Sequence, residues 1–472
     1  MASDATGSPL LCALHESEPL ENGDYDEIDT ASSDLHPLTA GYCAAAQLPL
    51  ELVMMVFDCV WAEDDNAALV LGGVCRHWRN IVHQTQKLWL NLVLGPRNPR
   101  GKAWLYLRRS KNGVRRLTLR GLAASEAFQK HRDEKRFNSV TSLEVHLLSD
   151  AHRFEYASIS WWTSFHLPLL TSFNCVVPED AATVAWFIPN AKTQLQRLEH
   201  LSISAPTFEF SHLPAMSMLK TLVLDMKRAT RENTWRGPCA SCCFEQILRW
   251  SPLLESVSLR GKTVETCALS GMSAPPFTLA HLKSLHLEGW FTKSGALSLL
   301  RLPALKSLHI LPPDTIAAKS VLERLEDAGA SDIEELRLRS IPDTDCSLLA
   351  PYIRKMSRLS ILELSNCQGD IDDLLYKLVR ADEPLPLEEI VISDCPALTR
   401  GAIDKLVYAG IPSGDYTTPI LVHTLSVHGC ARVTADQLLN ALTLQGRKEY
   451  FDTEWWWDLF LPTPPAGTVI DL

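Results

Sequence analysis

The chain has 472 residues, 46% hydrophobic and 21% charged, so it is long enough for roughly three domains and rich enough in apolar residues to bury large cores. Gly and Pro are too few for a collagen-like or low-complexity polymer. A net charge of −11 disfavours a nucleic-acid binder, and no run of 18 apolar residues suggests a membrane span. The N-terminus has no Lys or Arg before an apolar stretch, so a secretory signal is not expected. Thirteen Cys, an odd number scattered along the chain, fit buried thiols in a reducing compartment, cytoplasmic or nuclear, better than a disulfide framework.

Residues 1–47 hold nine acids and no Lys or Arg, with no sustained hydrophobic period, and read as an acidic disordered tail. Residues 48–94 carry three apolar helical patterns. LPLELVMMVFDCVW reads as a helix entered through Pro49, where a missing N–H costs nothing. Its apolar residues cover nearly every face, whereas a surface helix shows one stripe. AEDDNAALVLGGVC reads as an acidic start and a second helix weakened by Gly72 and Gly73. RHWRNIVHQTQ reads as a third, and LWLNLVL alternates like a strand. About forty residues cannot build a core for helices this apolar. Either the rest of the chain covers them or a partner protein does.

Arg97 to Arg120 carries nine basic residues and no acid, and 95–113 reads as a basic linker or first turn of the next domain. This block is either a solvated face or a seat for the acidic tail.

From Val114 onward one pattern recurs, apolar-x-x-apolar-x-apolar. It appears as VRRLTL at Val114, VTSLEV at Val140, LTSFNC at Leu170, LEHLSI at Leu198, LKTLVL at Leu219 and LESVSL at Leu254. It continues as LKSLHL at Leu282, LKSLHI at Leu305, IEELRL at Ile333, LSILEL at Leu359, LEEIVI at Leu387 and VHTLSV at Val422. These twelve copies are spaced 28 residues apart on average. The alternating end of each copy suits a short strand with one buried face. Several intervening stretches have helical spacing, among them SVLERLEDAG (stopped by Gly329), DDLLYKLVR, AIDKLVYAG and ADQLLNALTL.

Strand then helix at this period resembles the leucine-rich repeat, whose strands stack into one parallel sheet. The resemblance covers 114–450. It implies that Cys367, Cys395 and Cys430, each just after a strand, pack under turns, and that the polar strand positions line a concave binding face. Over twelve strands that face spans about 53 Å. Its middle holds Arg260, His286, His309, Arg337 and Arg339. These are a candidate site for an acidic or phosphorylated segment, since Arg pairs bidentately with such groups. The alternative is a solvated sheet face.

The wording of 48–94 resembles the F-box motif, particularly its fungal, basidiomycete-type families. Leu48, Pro49, Glu51, Leu52, Val56, Phe57, Val74, Cys75, Arg76, Trp78 and Trp89 match position by position. The resemblance implies an α/β chain, a small all-α F-box followed by an irregular leucine-rich-repeat solenoid. It further implies a non-catalytic substrate receptor of an SCF-type ubiquitin ligase. The partners would be a Skp-type adaptor, through it a cullin, and a protein substrate, without nucleic acid or membrane. The adaptor-facing set would be Leu48, Pro49, Leu52, Val56, Phe57, Val74, Cys75 and Trp78. The alternative is a repeat scaffold outside any ligase, whose N-terminal helices only cap the solenoid.

No P-loop, GxGxxG, HExxH or GxSxG motif occurs, and no cofactor is expected. A CxxC at Cys239 and Cys242 lacks a second pair at zinc-site spacing, and reads as buried or loop Cys before metal or redox chemistry. Trp455, Trp456 and Trp457 either cap the last rung or form a second partner site within 451–472, whose final residues are expected to be flexible.

Overall fold

The computed structural model describes residues 47–433 and Thr468–Asp471. Within the first range it leaves out 65, 122–123, 125–126, 129–134, 147–166, 178–184, 187–195, 206–208, 211–214, 227–246, 262–274, 290–294, 313–314, 342–345, 380–384 and 410–423. The acidic tail, the CxxC, ADQLLNALTL and the three consecutive Trp lie outside the described residues.

The fold is mixed α/β, built on one large parallel sheet that is compatible with a solenoid. Its strands are β1 (Asn91–Leu94), β2 (Arg116–Arg120), β3 (Ser142–His146), β4 (Ser172–Val176), β5 (His200–Ala205), β6 (Thr221–Met226) and β7 (Ser256–Gly261). They continue as β8 (Ser284–Glu288), β9 (Ser307–Leu311), β10 (Glu335–Arg339), β11 (Ile361–Ser365), β12 (Glu389–Ser393) and β13 (Thr424–His428). The thirteen strands lie in chain order and all pair in parallel. Each of the twelve motif copies forms one of β2 to β13, and LWLNLVL supplies β1.

The motif produces this geometry directly. Its first apolar residue (Val114, Leu254, Leu305, Leu359 among them) is buried at the turn into the strand. The two following residues both donate to a single carbonyl of the preceding rung. Lys283 N and Ser284 N, for instance, reach Glu255 O at 2.8 and 3.1 Å. The last two apolar positions stack into columns across the sheet, such as Leu285, Leu308, Leu336 and Leu362, all buried. Truncating one of these leucines to Ala is expected to cost about 2–5 kcal/mol.

At the strand exits Ser340, Asn366 and Asp394 adopt left-handed backbone, φ 53–54°, turning the chain under the sheet. Cys367 and Cys395 then point inward, and their Sγ donate to Leu338 O at 3.7 Å and Leu364 O at 3.6 Å. Cys430 is buried on the next rung.

Helices cover the core side in the C-terminal half. α5 (Thr315–Asp327) buries Ala317, Ala318, Val321, Leu322 and Leu325. It stops at Gly329, φ 76°, with Ala330 N returning to Leu325 O at 3.0 Å. α6 (Ile371–Val379) begins with Asp370 Oδ1 accepting from Asp373 N at 3.0 Å, and α7 (Arg400–Ala409) follows β12.

Two segments differ from expectation. The basic linker contains a helix, α4 (Pro99–Arg109), capped by Asn98 and seated through Ala103, Tyr106 and Leu107. The chain end, expected to be flexible, places Thr468–Asp471 as β14, antiparallel to β13.

Candidate protein-binding surfaces

Three helices precede the sheet: α1 (Leu50–Glu63), α2 (Ala67–Val74) and α3 (Arg76–Gln84). Pro49 lends its carbonyl to Leu52 N and Val53 N at 3.0 and 3.1 Å. Cys75 Sγ accepts from Trp78 N at 3.5 Å at the start of α3. Arg79 Nε donates to Gly72 O at 3.0 Å and ties α3 to the end of α2. Inside, Val53, Phe57, Ala67, Ala68, Leu71, Trp78 and Val82 join the same core as the sheet. Trp89 provides the link. Its indole N–H donates to Val82 O at 2.8 Å, and its ring meets Tyr106 of α4 edge to face at 5.0 Å.

The outer side of these helices stays bare. Leu50 is 56% exposed, Met55 64%, and Leu52, Val56, Leu69, Val70 and Val74 are also exposed. Leu52, Val56 and Cys59 lie at i, i+4 and i+7 of α1, one stripe along the helix. Neighbouring helices therefore cover one face of α1, through Val53 and Phe57, and the opposite face is left to solvent.

Of the adaptor-facing set, Pro49, Leu52, Val56 and Val74 are exposed, and Leu48 and Cys75 half-buried. Phe57 and Trp78, the other two of the set, are buried and shape the helices from inside. Leu50, Met55, Leu69 and Val70 are exposed beside them and lay outside the set read from the sequence. With every face of α1 apolar, periodicity could not tell inside from outside.

The second surface is the polar face of the sheet. One column runs Thr118, Glu144, Asn174, Ser202, Val223, Ser258, His286, His309, Arg337, Glu363, Val391 and Ser426, in register from β2 to β13. At its centre the rings of His286 and His309 stack, centroids 4.0 Å apart and planes at 28°. Partial burial, with His309, Arg260 and Arg339 nearby, holds His286 down to about 3. Burial and Arg339 hold His309 down to about 4, against the pull of Glu363. Both rings are therefore neutral at neutral pH. His309 Nε2 and the neighbouring Ser258 Oγ are buried and make no hydrogen bond.

The arginines are not open anion receptors. Arg337 Nε donates to Glu335 Oε1 at 2.6 Å and its guanidinium lies 3.4 Å from Glu363. Arg339 donates two hydrogen bonds to Glu363 Oε1, at 3.1 and 2.8 Å. Burial opposes ionisation of Glu335 and Glu363. Hydrogen bonds from Ser307 and Arg337 to the first, and from Ser365 and Arg339 to the second, outweigh it and keep both below the usual carboxylate range. Arg260, at the end of β7, is exposed. The five residues do come together, but as a neutral imidazole pair beside an Arg–Glu chain. That arrangement disfavours the acidic-segment reading, because a ligand carboxylate would have to displace Glu335 and Glu363.

Among the described residues no cluster of three or more His, Cys, Asp or Glu side chains could hold a metal, and no helix is long and apolar enough to cross a membrane. No protein-family model and no curated protein matches the chain.

Proposed function

We propose that this chain is the substrate-recognition subunit of an SCF-type ubiquitin ligase. In this reading 48–94 is an F-box that docks a Skp-type adaptor and through it a cullin. The sheet from β2 onward is a leucine-rich-repeat solenoid that holds a protein substrate. Ubiquitin transfer belongs to other subunits, and the work takes place in the cytoplasm or nucleus. The observation that supports it best is the apolar outer face of α1 and α2. Scattered exposed hydrophobics need no explanation, but seven large ones on two adjoining helices mark an interaction site. The interface composition fits, since aliphatic residues without charges form the centre of stable protein contacts.

The substrate surface in this reading is the sheet's polar face around His286 and His309. Its flat, uncharged imidazole pair between Ser258 and the Arg–Glu chain favours a segment with mixed polar and aromatic side chains over a polyanion.

The test is co-purification with a Skp-type adaptor. The intact chain is expected to form a stoichiometric complex, and Leu52→Asp/Val56→Asp, on exposed positions, to lose it while remaining folded. A folded intact chain that captures no adaptor overturns the ligase reading and leaves a repeat-type binding protein.

A further inference from the structure

The basic block between Arg97 and Arg120 has a definite shape. On α4, Arg100, Trp104 and Arg108 fall at i, i+4 and i+8, one face of the helix, and all three are exposed. Arg108 lies over the Trp104 ring, 5.0 Å from its centroid. Arg97, Lys111, Arg115 and Arg116 are exposed just before and after the helix. Among the described residues, none of these six cations pairs with a carboxylate. Lys220, Lys283, Lys306 and Lys355, by contrast, each sit 2.7–2.9 Å from a glutamate. Six like charges left together repel one another, and an acidic occupant would relieve that.

We propose that this face of α4 is the docking site for the chain's own acidic segment, Glu16 to Asp34. That segment holds eight carboxylates and no Lys or Arg. It also interleaves Tyr25 and Ile28 with acids, a match for the exposed Trp104. Reach is no obstacle. Asp34 precedes Leu50 by sixteen residues, which span up to about 50 Å when extended. α1 is about 21 Å long, and from its far end Asp64 accepts from Asn66, which in turn accepts from Lys102 of α4. A tether of this length gives an effective concentration of about millimolar, far above that of a competing chain in solution. Docking is independent of the ligase reading, since it involves neither the apolar face of α1 and α2 nor the His286–His309 pair.

Carbodiimide cross-linking of the full-length protein at low salt tests this. Intramolecular links from carboxylates between Glu16 and Asp34 to Lys102 or Lys111 are expected. They should fall about tenfold in ~1 M salt, where the screening length is about 3 Å. They should also be lost in Arg100→Glu/Arg108→Glu, with circular dichroism unchanged. A labelled peptide of residues 16–34 gives a second measurement. It should bind about tenfold more tightly to a full-length variant with those eight acids changed to amides than to the parent, whose own segment competes. Links that run instead to Lys283, Lys306 or Lys355, links only between molecules, or equal peptide binding by the two proteins would overturn the proposal.

Discussion

Phe57 of α1 and Trp78 of α3 meet edge to face, ring centroids 5.3 Å apart and planes at 72°. This contact fixes which side of α1 faces in and thereby which side is left exposed. It separates two kinds of apolar residue that the sequence presents as one run.

Substitution within that pair should act on stability. Trp78→Ala or Phe57→Ala should cost about 3–5 kcal/mol. Leu52→Ala and Val56→Ala, on the exposed stripe, should each change stability by less than about 1 kcal/mol and, under the proposed ligase role, weaken adaptor binding. Chemical denaturation of the four variants, read beside adaptor capture, checks the separation. Equal destabilisation by all four would show that the stripe is packed.

The His286–His309 stack predicts acid sensitivity. Both histidines have folded-state values, about 3 and about 4, below the ordinary 6.5. Between those limits the unfolded chain binds protons that the folded chain does not, so stability falls as pH drops below 6.5. Thermal melts from pH 7.5 to 5 should show a steeper loss for the parent than for His286→Asn/His309→Asn. Parallel curves would exclude the pair as the source.

Gly113 joins α4 to β2 with φ 79°, and a Cβ there would collide with the carbonyl oxygen of Arg136 and with Ser139. Backbone cannot swing aside as a side chain can. Gly113→Ala should therefore destabilise by more than about 1 kcal/mol, the usual cost of forcing left-handed backbone alone. Gly73→Ala, where nothing lies within 4 Å, is the control and should be neutral or slightly stabilising.

Thiol reactivity should divide the cysteines sharply. Cys59 is exposed, whereas Cys175, Cys346, Cys367, Cys395 and Cys430 are buried. Burial pushes the Cys175 thiol well up, and the hydrogen bond with Cys395 does the same for Cys367. A maleimide should label Cys59 in the native protein within minutes and reach those five only after denaturation. Rapid native labelling of Cys367 or Cys395 would contradict the packing of the strand exits.

The strands were legible from sequence because a period of two with a fixed entry residue admits one arrangement. A slip by one residue would turn Leu285 and Leu287 to solvent and His286 into the core. α5, α6 and α7 were legible from their apolar stripes. α4 was less legible because its basic residues outnumber its short apolar stripe. Ala103, Tyr106 and Leu107, at i, i+3 and i+4 after an Asn-Pro start, were the available signal. The sheet surface was harder. The column through His286, His309 and Arg337 could be written down in order, but the neutralisation of Arg337 and Arg339 depends on which glutamates the register brings alongside. Composition counts those charges without pairing them.

The sheet's strand order also governs how the molecule comes apart. Each of β1 to β13 bonds only to the rung before it and the rung after it, so cohesion is passed from neighbour to neighbour. A lesion such as Leu308→Ala lowers the cost of parting β9 from β8 and β10 while leaving distant rungs intact. Denaturation should then proceed in blocks, with fluorescence from Trp78 and Trp89 and global circular dichroism reporting different midpoints. For such a chain a single melting temperature describes its weakest junction.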